Sequence, residues 1–245
     1  MTMITFGAVL LVLVPKMIIT IVLLLEDIFR LIIATKNYFN NYNEQAAYFP
    51  ERRKFISQIA LGLAAIPFSS LIYGMTFGKY NYKVIKQTLF FPDLPDAFDG
   101  TTITHISDIH SGSFDDAEKI QYAIDLINEQ NSDMILFTGD IVNTHATEMD
   151  PWIETFKGIH NPTFGKFSVL GNHDYGDYVQ WPHEGLSKDD NLESLKKVHA
   201  DMGWRLLMNE HVVLEKNNEK IALLGIENWS AKARFPKHGR MDLAH

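Results

Sequence analysis

Met134-Ile135-Leu136-Phe137-Thr138-Gly139-Asp140 is the stretch on which the reading of this chain turns. Its first five residues form a short, continuously apolar run, as expected of a strand covered on both faces. The run stops on Gly-Asp. The same arrangement lies on either side of it. Upstream, Ile103 to Ser107 reads as a strand and leads into Asp108-Ile109-His110. Downstream, Phe167 to Leu170 reads as a strand and leads into Gly171-Asn172-His173-Asp174. The spacing is even, with 32 residues from Asp108 to Asp140 and 32 from Asp140 to Asn172. Asp, His and Asn at successive strand ends are hard oxygen and imidazole donors brought to one rim of a sheet. That set suits a pair of divalent transition metals and predicts a hydrolase of phosphate esters.

The segments between the strands read as helices, which makes the class α/β. Asp115 to Asn131 carries Ile120, Ala123, Ile124 and Ile127 at helical spacing. Residues 151 to 159 suggest a short helix. Asp190 to Met202 places Leu192, Leu195 and Val198 inward, with Gly203 as its stop. Arg205 to Leu214 and Lys220 to Gly225 are expected as two strands in a hairpin around Asn217-Asn218. If extended geometry persists beyond the first strand, Asp108 and His110 point the same way. Asn143 either orders the loop after Asp140 or is solvated. His105 falls on the opposite face and reads as a structural histidine. His160, His183, His199, His211 and His238 lack partners at ligand spacing and read as surface residues. Trp152, Trp181 and Trp229 belong to core or rim packing, or line the mouth of a cleft.

The three blocks together resemble the calcineurin-like metallophosphoesterases. That family carries Asp-x-His, then Gly-Asp-x-x-(Asp or Asn), then Gly-Asn-His-(Asp or Glu). The chain has Asp108-His110, Gly139-Asp140-Ile141-Val142-Asn143 and Gly171-Asn172-His173-Asp174. The segment Leu94-Pro95-Asp96-Ala97-Phe98-Asp99-Gly100 is similar to that of the membrane-associated bacterial phosphodiesterase branch. The resemblance implies an αββα two-sheet sandwich. It implies two divalent cations (manganese, iron or zinc), with Asp108, His110, Asp140 and Asn172 as ligands and Asp140 bridging. It implies His173 beside the leaving oxygen, with Asp174 orienting that imidazole. A later Gly-His-x-His, which in the family completes both metal sites, does not occur in this sequence. The expectation is therefore of a chain cut within the catalytic domain, incomplete at its C-terminus and a weak enzyme by itself. The activity implied is hydrolysis of a phosphate ester, a diester in preference. The alternatives are a non-catalytic or single-metal phosphate-binding domain and a nuclease of the same superfamily.

The rest of the chain bears on location. Lys and Arg number 22 against 30 Asp and Glu, a net charge of −8, so no basic footprint marks a nucleic-acid partner. Absence of cysteine excludes disulfides and thiolate metal sites. Residues 1–33 read as one or two membrane-spanning segments interrupted at Pro15-Lys16 and Glu26-Asp27, or as a buried soluble helix. A lysine at a helix centre costs about 2.5–3.5 kcal/mol on insertion scales. Met1-Thr2-Met3-Ile4-Thr5 is similar to the leader of a vector-borne β-galactosidase fragment, so a fusion remnant is one reading of it. Residues 34–54 read as a polar loop. Residues 55–77 carry no charge and are long enough to cross a bilayer. The preceding Arg52-Arg53-Lys54 is either a twin-arginine-like signal or a positive-inside flank. Both readings send residues 88–245, the catalytic part, to the extracytoplasmic side, where a lipid-linked or cell-envelope phosphate is a plausible substrate. Lys79, Lys83 and Lys86 weaken that asymmetry.

Overall fold

The computed structural model describes residues 3–39, 50–182, 185–230, 236–240 and 242. They fall into two compact units, Met1–Lys83 and Val84–His245.

The first unit is a pair of helices, α1 (Met3–Phe39) and α2 (Pro50–Thr76). Both are long and apolar enough to cross a membrane. Gly7 faces Met75, and the Arg52 guanidinium lies 5.0 Å from the centre of the Phe29 ring. The helices are therefore antiparallel. Ala60 and Ala64, one turn apart on α2, are buried. Small residues at that spacing let two helix backbones approach closely. The loop expected over 34–54 is helical at both ends, from 34 to 39 and from 50 to 54. Thr35 donates its hydroxyl to the Leu31 carbonyl at 2.8 Å, and Glu51-Arg52-Arg53-Lys54 are straight-chain residues that lose little freedom in a helix. Of the asparagines in that stretch, Asn37 lies in α1, and Asn40, Asn41 and Asn43 lie outside the described residues.

The second unit is α/β. Four strands, β1 (Ile103–Ile106), β2 (Met134–Phe137), β3 (Lys166–Ser168) and β4 (Arg205–Leu206), form a parallel sheet in that order. Each crossover carries a helix: α3 (Ala117–Glu129), α4 (Ile153–Lys157) and α5 (Lys188–Asp201). Asp116 caps α3 by accepting from the Lys119 amide, and Ser187 with Asp190 closes a capping box on α5. Because the strands are parallel and consecutive, their C-terminal ends lie on one rim. The loops after Ile106, Phe137 and Ser168 meet there.

A separate antiparallel hairpin joins β5 (Glu210–Lys216) to β6 (Glu219–Gly225). Asn217 and Asn218 both have positive φ, 52° and 66°, as a two-residue turn between twisted strands requires. The single strand expected from Arg205 to Leu214 is instead two. Asn209 at φ 57° breaks it. Asparagine tolerates that left-handed geometry, so β4 stays with the parallel sheet while β5 leaves for the hairpin. Phe98, Met134, Phe167, Leu207, Val212 and Leu214 form a buried cluster.

The histidines expected at the surface divide. His211 is exposed, while His160 and His238 are half-buried. His160 bonds Asn128, and His238 stacks on Tyr175 with ring centres 3.6 Å apart. His183 lies outside the described residues. His199 is fully buried, contrary to expectation. It lies one turn beyond the fully buried Leu195 on the inner face of α5, where its position outweighs its polarity.

Candidate metal centre

The loop after β1 runs along the loop after β2, held by three backbone bonds. The amides of Asp108, His110 and Ser111 donate to the carbonyls of Gly139, Asp140 and Ile141 at 3.1, 3.0 and 2.9 Å. Asp108, His110 and Asp140 all have positive φ: 53°, 48° and 60°. Extended geometry therefore does not persist past β1. Asp108 and His110 come together through left-handed residues, with His110 Nε2 at 3.9 Å from Asp108 Oδ1.

Gly139 and Gly171 meet each other. A Cβ on Gly139 would stand 2.5 Å from the Gly171 Cα, and a Cβ on Gly171 would stand 2.5 Å from the Asp140 amide nitrogen. The loops after β2 and β3 cross backbone to backbone, and only glycine allows that approach.

This crossing helps gather atoms that could hold a metal. Those of His110, Asp140 and His173 all lie within 4.8 Å of one another. Asp140 is 8% exposed. Its Oδ2 stands 3.8 Å from His110 Nε2, and its Oδ1 accepts from the His173 amide at 2.8 Å. The His110 and His173 rings meet edge to face at 4.8 Å. His173 Nδ1 lies 2.9 Å from the Asn143 carbonyl oxygen. A carbonyl only accepts, so Nδ1 carries a proton and Nε2 is the atom left for chemistry.

Asp174 does not touch the His173 imidazole, which corrects the expectation that it orients that ring. Its side chain is buried and accepts four backbone amides. Oδ2 takes Asp140 and Gly171, both at 2.8 Å; Oδ1 takes Ile141 at 2.9 Å and Val142 at 3.4 Å. Asp174 is thus a tie between the crossing loops. Burial, opposed by those amides, pushes its carboxyl up to about 7. The Asn143 carbonyl takes the orienting role instead.

Two residues of the site escaped the reading of the sequence. Glu148, in the 3-10 turn Ala146–Met149, accepts the amides of Asn143, Thr144 and His145 at 2.6, 3.1 and 3.0 Å. It shapes the loop that presents the Asn143 carbonyl. Tyr178 accepts from the Asn172 side-chain amide at 2.8 Å. A carboxylate five residues after the Asn of Gly-Asp-x-x-Asn is the sequence signal for Glu148. Nothing in the sequence marks Tyr178.

The donor set fits a borderline divalent cation: the nearly buried Asp140 carboxylate and the Asp108 carboxylate, each within 4 Å of the His110 imidazole. Residues 101–238 match the family described as calcineurin-like phosphoesterase. The chain belongs to that family. Residues 1–79 match a second description, "Probable Calcineurin-like phosphoesterase, transmembrane domain". Among curated relatives, a "Transmembrane protein with metallophosphoesterase domain" from Danio rerio is 27% identical over 174 residues, covering 69% of this chain and 36% of the relative. The Bacillus subtilis (strain 168) metallophosphoesterase YkuE is 31% identical over 138 residues, covering 52% and 46%. The UDP-2,3-diacylglucosamine pyrophosphatase LpxG of Chlamydia muridarum is 31% identical over 122 residues, covering 49% and 37%. The chain spans less than half the length of these three relatives.

Proposed function

We propose that this chain carries the metal site of a membrane-anchored phosphoesterase that holds two divalent cations and cleaves a phosphate ester, in preference a diester. The observation that carries the reading is the convergence of His110, Asp140 and His173 at the ends of β1, β2 and β3. Asp108 and His110 would hold one cation and Asn172 the other. Asp140, with two oxygens and little exposure, would hold both. Held there, two divalent cations would supply a water with its pKa brought down to about 7 and Lewis acidity toward the phosphoryl oxygens. His173, with Nδ1–H committed to Asn143, would present Nε2 to the leaving oxygen and, when both ring nitrogens are protonated, give it the Nε2 proton, leaving the neutral ring with its Nδ1–H still on Asn143. Asp174 holds the loops that carry these groups and makes no contact with the reacting atoms.

A lipid-linked or envelope phosphate is the substrate class that α1 and α2 favour, because the anchor keeps the site near a membrane. The name of the LpxG relative, a diacylated sugar nucleotide pyrophosphatase, supports that class. The charge flank Arg52-Arg53-Lys54 before α2 supports an extracytoplasmic site.

Asp140→Asn tests the reading. We expect it to lower bound manganese and to reduce turnover of a chromogenic phosphodiester at least about a hundredfold, because a bridging amide supplies one neutral oxygen where a carboxylate supplies two charged ones. Elemental analysis of the purified chain reads the first effect. A variant with full metal content and near-normal turnover would sink the assignment.

A further inference from the structure

We infer that Tyr178 is a positioning residue of the metal centre: its hydroxyl sets which end of the Asn172 amide meets a cation, and its ring braces His173. The inference rests on the two-cation reading above and adds a residue to it.

The chain is turned back to make this possible. After Asp174 it passes Gly176, at φ +66°, whose amide bonds the His173 carbonyl at 3.0 Å. Trp181 closes the turn by donating its indole N–H to the Gly176 carbonyl at 2.8 Å. A Cβ on Gly176 would stand 2.6 Å from the Trp181 ring, so the turn and the indole pack as one piece. Tyr178 is thereby brought over Asn172 and His173. It remains half-exposed, at 46%, on the open side of the site.

An asparagine amide has one oxygen and one NH2 group, and only the oxygen binds a cation. The terminal torsion is soft and roughly two-fold, so the side chain alone does not choose between ends. Here the Asn172 NH2 group donates to the Tyr178 hydroxyl at 2.8 Å. No described residue bonds the Asn172 Oδ1, which leaves it for a ligand. A cation on Oδ1 draws electrons through the amide and makes the NH2 group a stronger donor. The tyrosine oxygen is the acceptor already in place for it. Partners of this kind behind a ligand are worth roughly 10–100-fold in metal affinity. The hydroxyl's own proton remains, and on this exposed face it has water or a phosphoryl oxygen to bond.

The ring does a second job. Its centre lies 4.7 Å from that of the His173 imidazole, at 43°. On the other side His110 meets His173 at 4.8 Å, and Asn143 holds Nδ1. His173 is therefore fixed by three neighbours.

Tyr178→Phe separates the two jobs, because it keeps the ring and deletes the hydroxyl. The measurement is Mn2+ binding to the full chain in detergent micelles, titrated into the millimolar range and read by the electron paramagnetic resonance of free Mn2+. The expected result is an unchanged tighter site and a looser site weakened about tenfold or more. Pairing it with Asn172→Asp supplies the control. A carboxylate has two equivalent oxygens and needs no hydroxyl to choose between them, so Asn172→Asp with Tyr178→Phe should bind as Asn172→Asp does alone. Tyr178→Phe that binds both Mn2+ like the parent, or a loss that Asn172→Asp does not relieve, overturns the inference and leaves the two-cation reading standing. A parent chain that takes up fewer than two Mn2+ overturns both.

Discussion

Asp174 is worth most at the scale of single residues, because its position in the sequence suggests one role and its contacts show another. It follows His173 directly, which invites a carboxylate–imidazole pair. In the fold it satisfies four backbone amides from two crossing loops. Asp174→Asn would turn an NH2 group toward two of those donors and leave them buried without acceptors. At about 1–3 kcal/mol for each such group, the loss should reach roughly 3 kcal/mol in urea unfolding, accompanied by loss of bound manganese. His173→Ala should behave oppositely, leaving the unfolding midpoint nearly unchanged and slowing turnover about 10²–10⁴-fold, least for substrates with good leaving groups. If the two variants have the same stability, Asp174 is not the tie described. At this scale the sequence shows residues whose chemistry is unusual for a strand end: Asp108, His110, Asp140, Asn172 and His173. It conceals those whose role depends on how a loop returns. Tyr178 reaches Asn172 only because Gly176 adopts a positive φ and Trp181 locks the turn. Glu148 reaches three amides only because the 3-10 turn brings it back. Neither geometry has a periodicity to read.

Among the elements, α5 carries a second consequence of burial. His199, in its last turn, lies against Phe137 of β2 with ring centres 6.0 Å apart, and its Nδ1 is 3.0 Å from the Ser168 hydroxyl of β3. No described residue bonds its Nε2. Burial pushes the imidazole down to about 4 from an ordinary 6.5. The folded state thus binds this proton less readily than the unfolded chain. The contribution to stability is fully present above pH 6.5, falls as the unfolded chain takes up the proton, and is lost by about pH 4. The slope is about 1.4 kcal/mol per pH unit, or roughly 3 kcal/mol across the window. Urea midpoints for the parent and for His199→Phe, compared between pH 7 and 4.5, isolate this group from other titrations. Parallel curves would show that His199 does not titrate as its burial requires. The elements themselves were largely legible. Apolar runs placed β1, β2 and β3, and helical spacing placed α3 and α5 to within two residues. The division of Arg205–Leu214 was not legible, because Leu206-Leu207-Met208 and Val212-Val213-Leu214 on either side of Asn209 read equally well as one strand.

For the whole molecule, two apolar runs marked the membrane helices, but their ends were hidden. A helix continues past the apolar stretch wherever the following residues are adequate helix formers, so α1 reaches Phe39 and α2 starts at Pro50. Topology remains a proposal that an experiment decides. A reporter fused at Gly100 should be active only if that position is outside the cytoplasm, and substitution of Arg52, Arg53 and Lys54 by neutral residues should weaken that preference. A fusion active only in the cytoplasm would remove the envelope-substrate idea along with the topology.

The tie made by Asp174 also has a meaning in time. It lies 34 residues after Asp140, the first group it holds. At roughly 5–20 residues per second of synthesis, about 2–7 s separate the two on the ribosome. During that interval a nascent chain displays Asp108, His110 and Asp140 on two loops that bond each other, with Asn172 and His173 not yet made and the Asp140 amide not yet tied. A cation met then would be chosen by abundance and raw affinity. The full donor geometry exists only when the third loop arrives, so on the two-cation reading a cation would be selected late, with the help of a carboxylate outside the donor set.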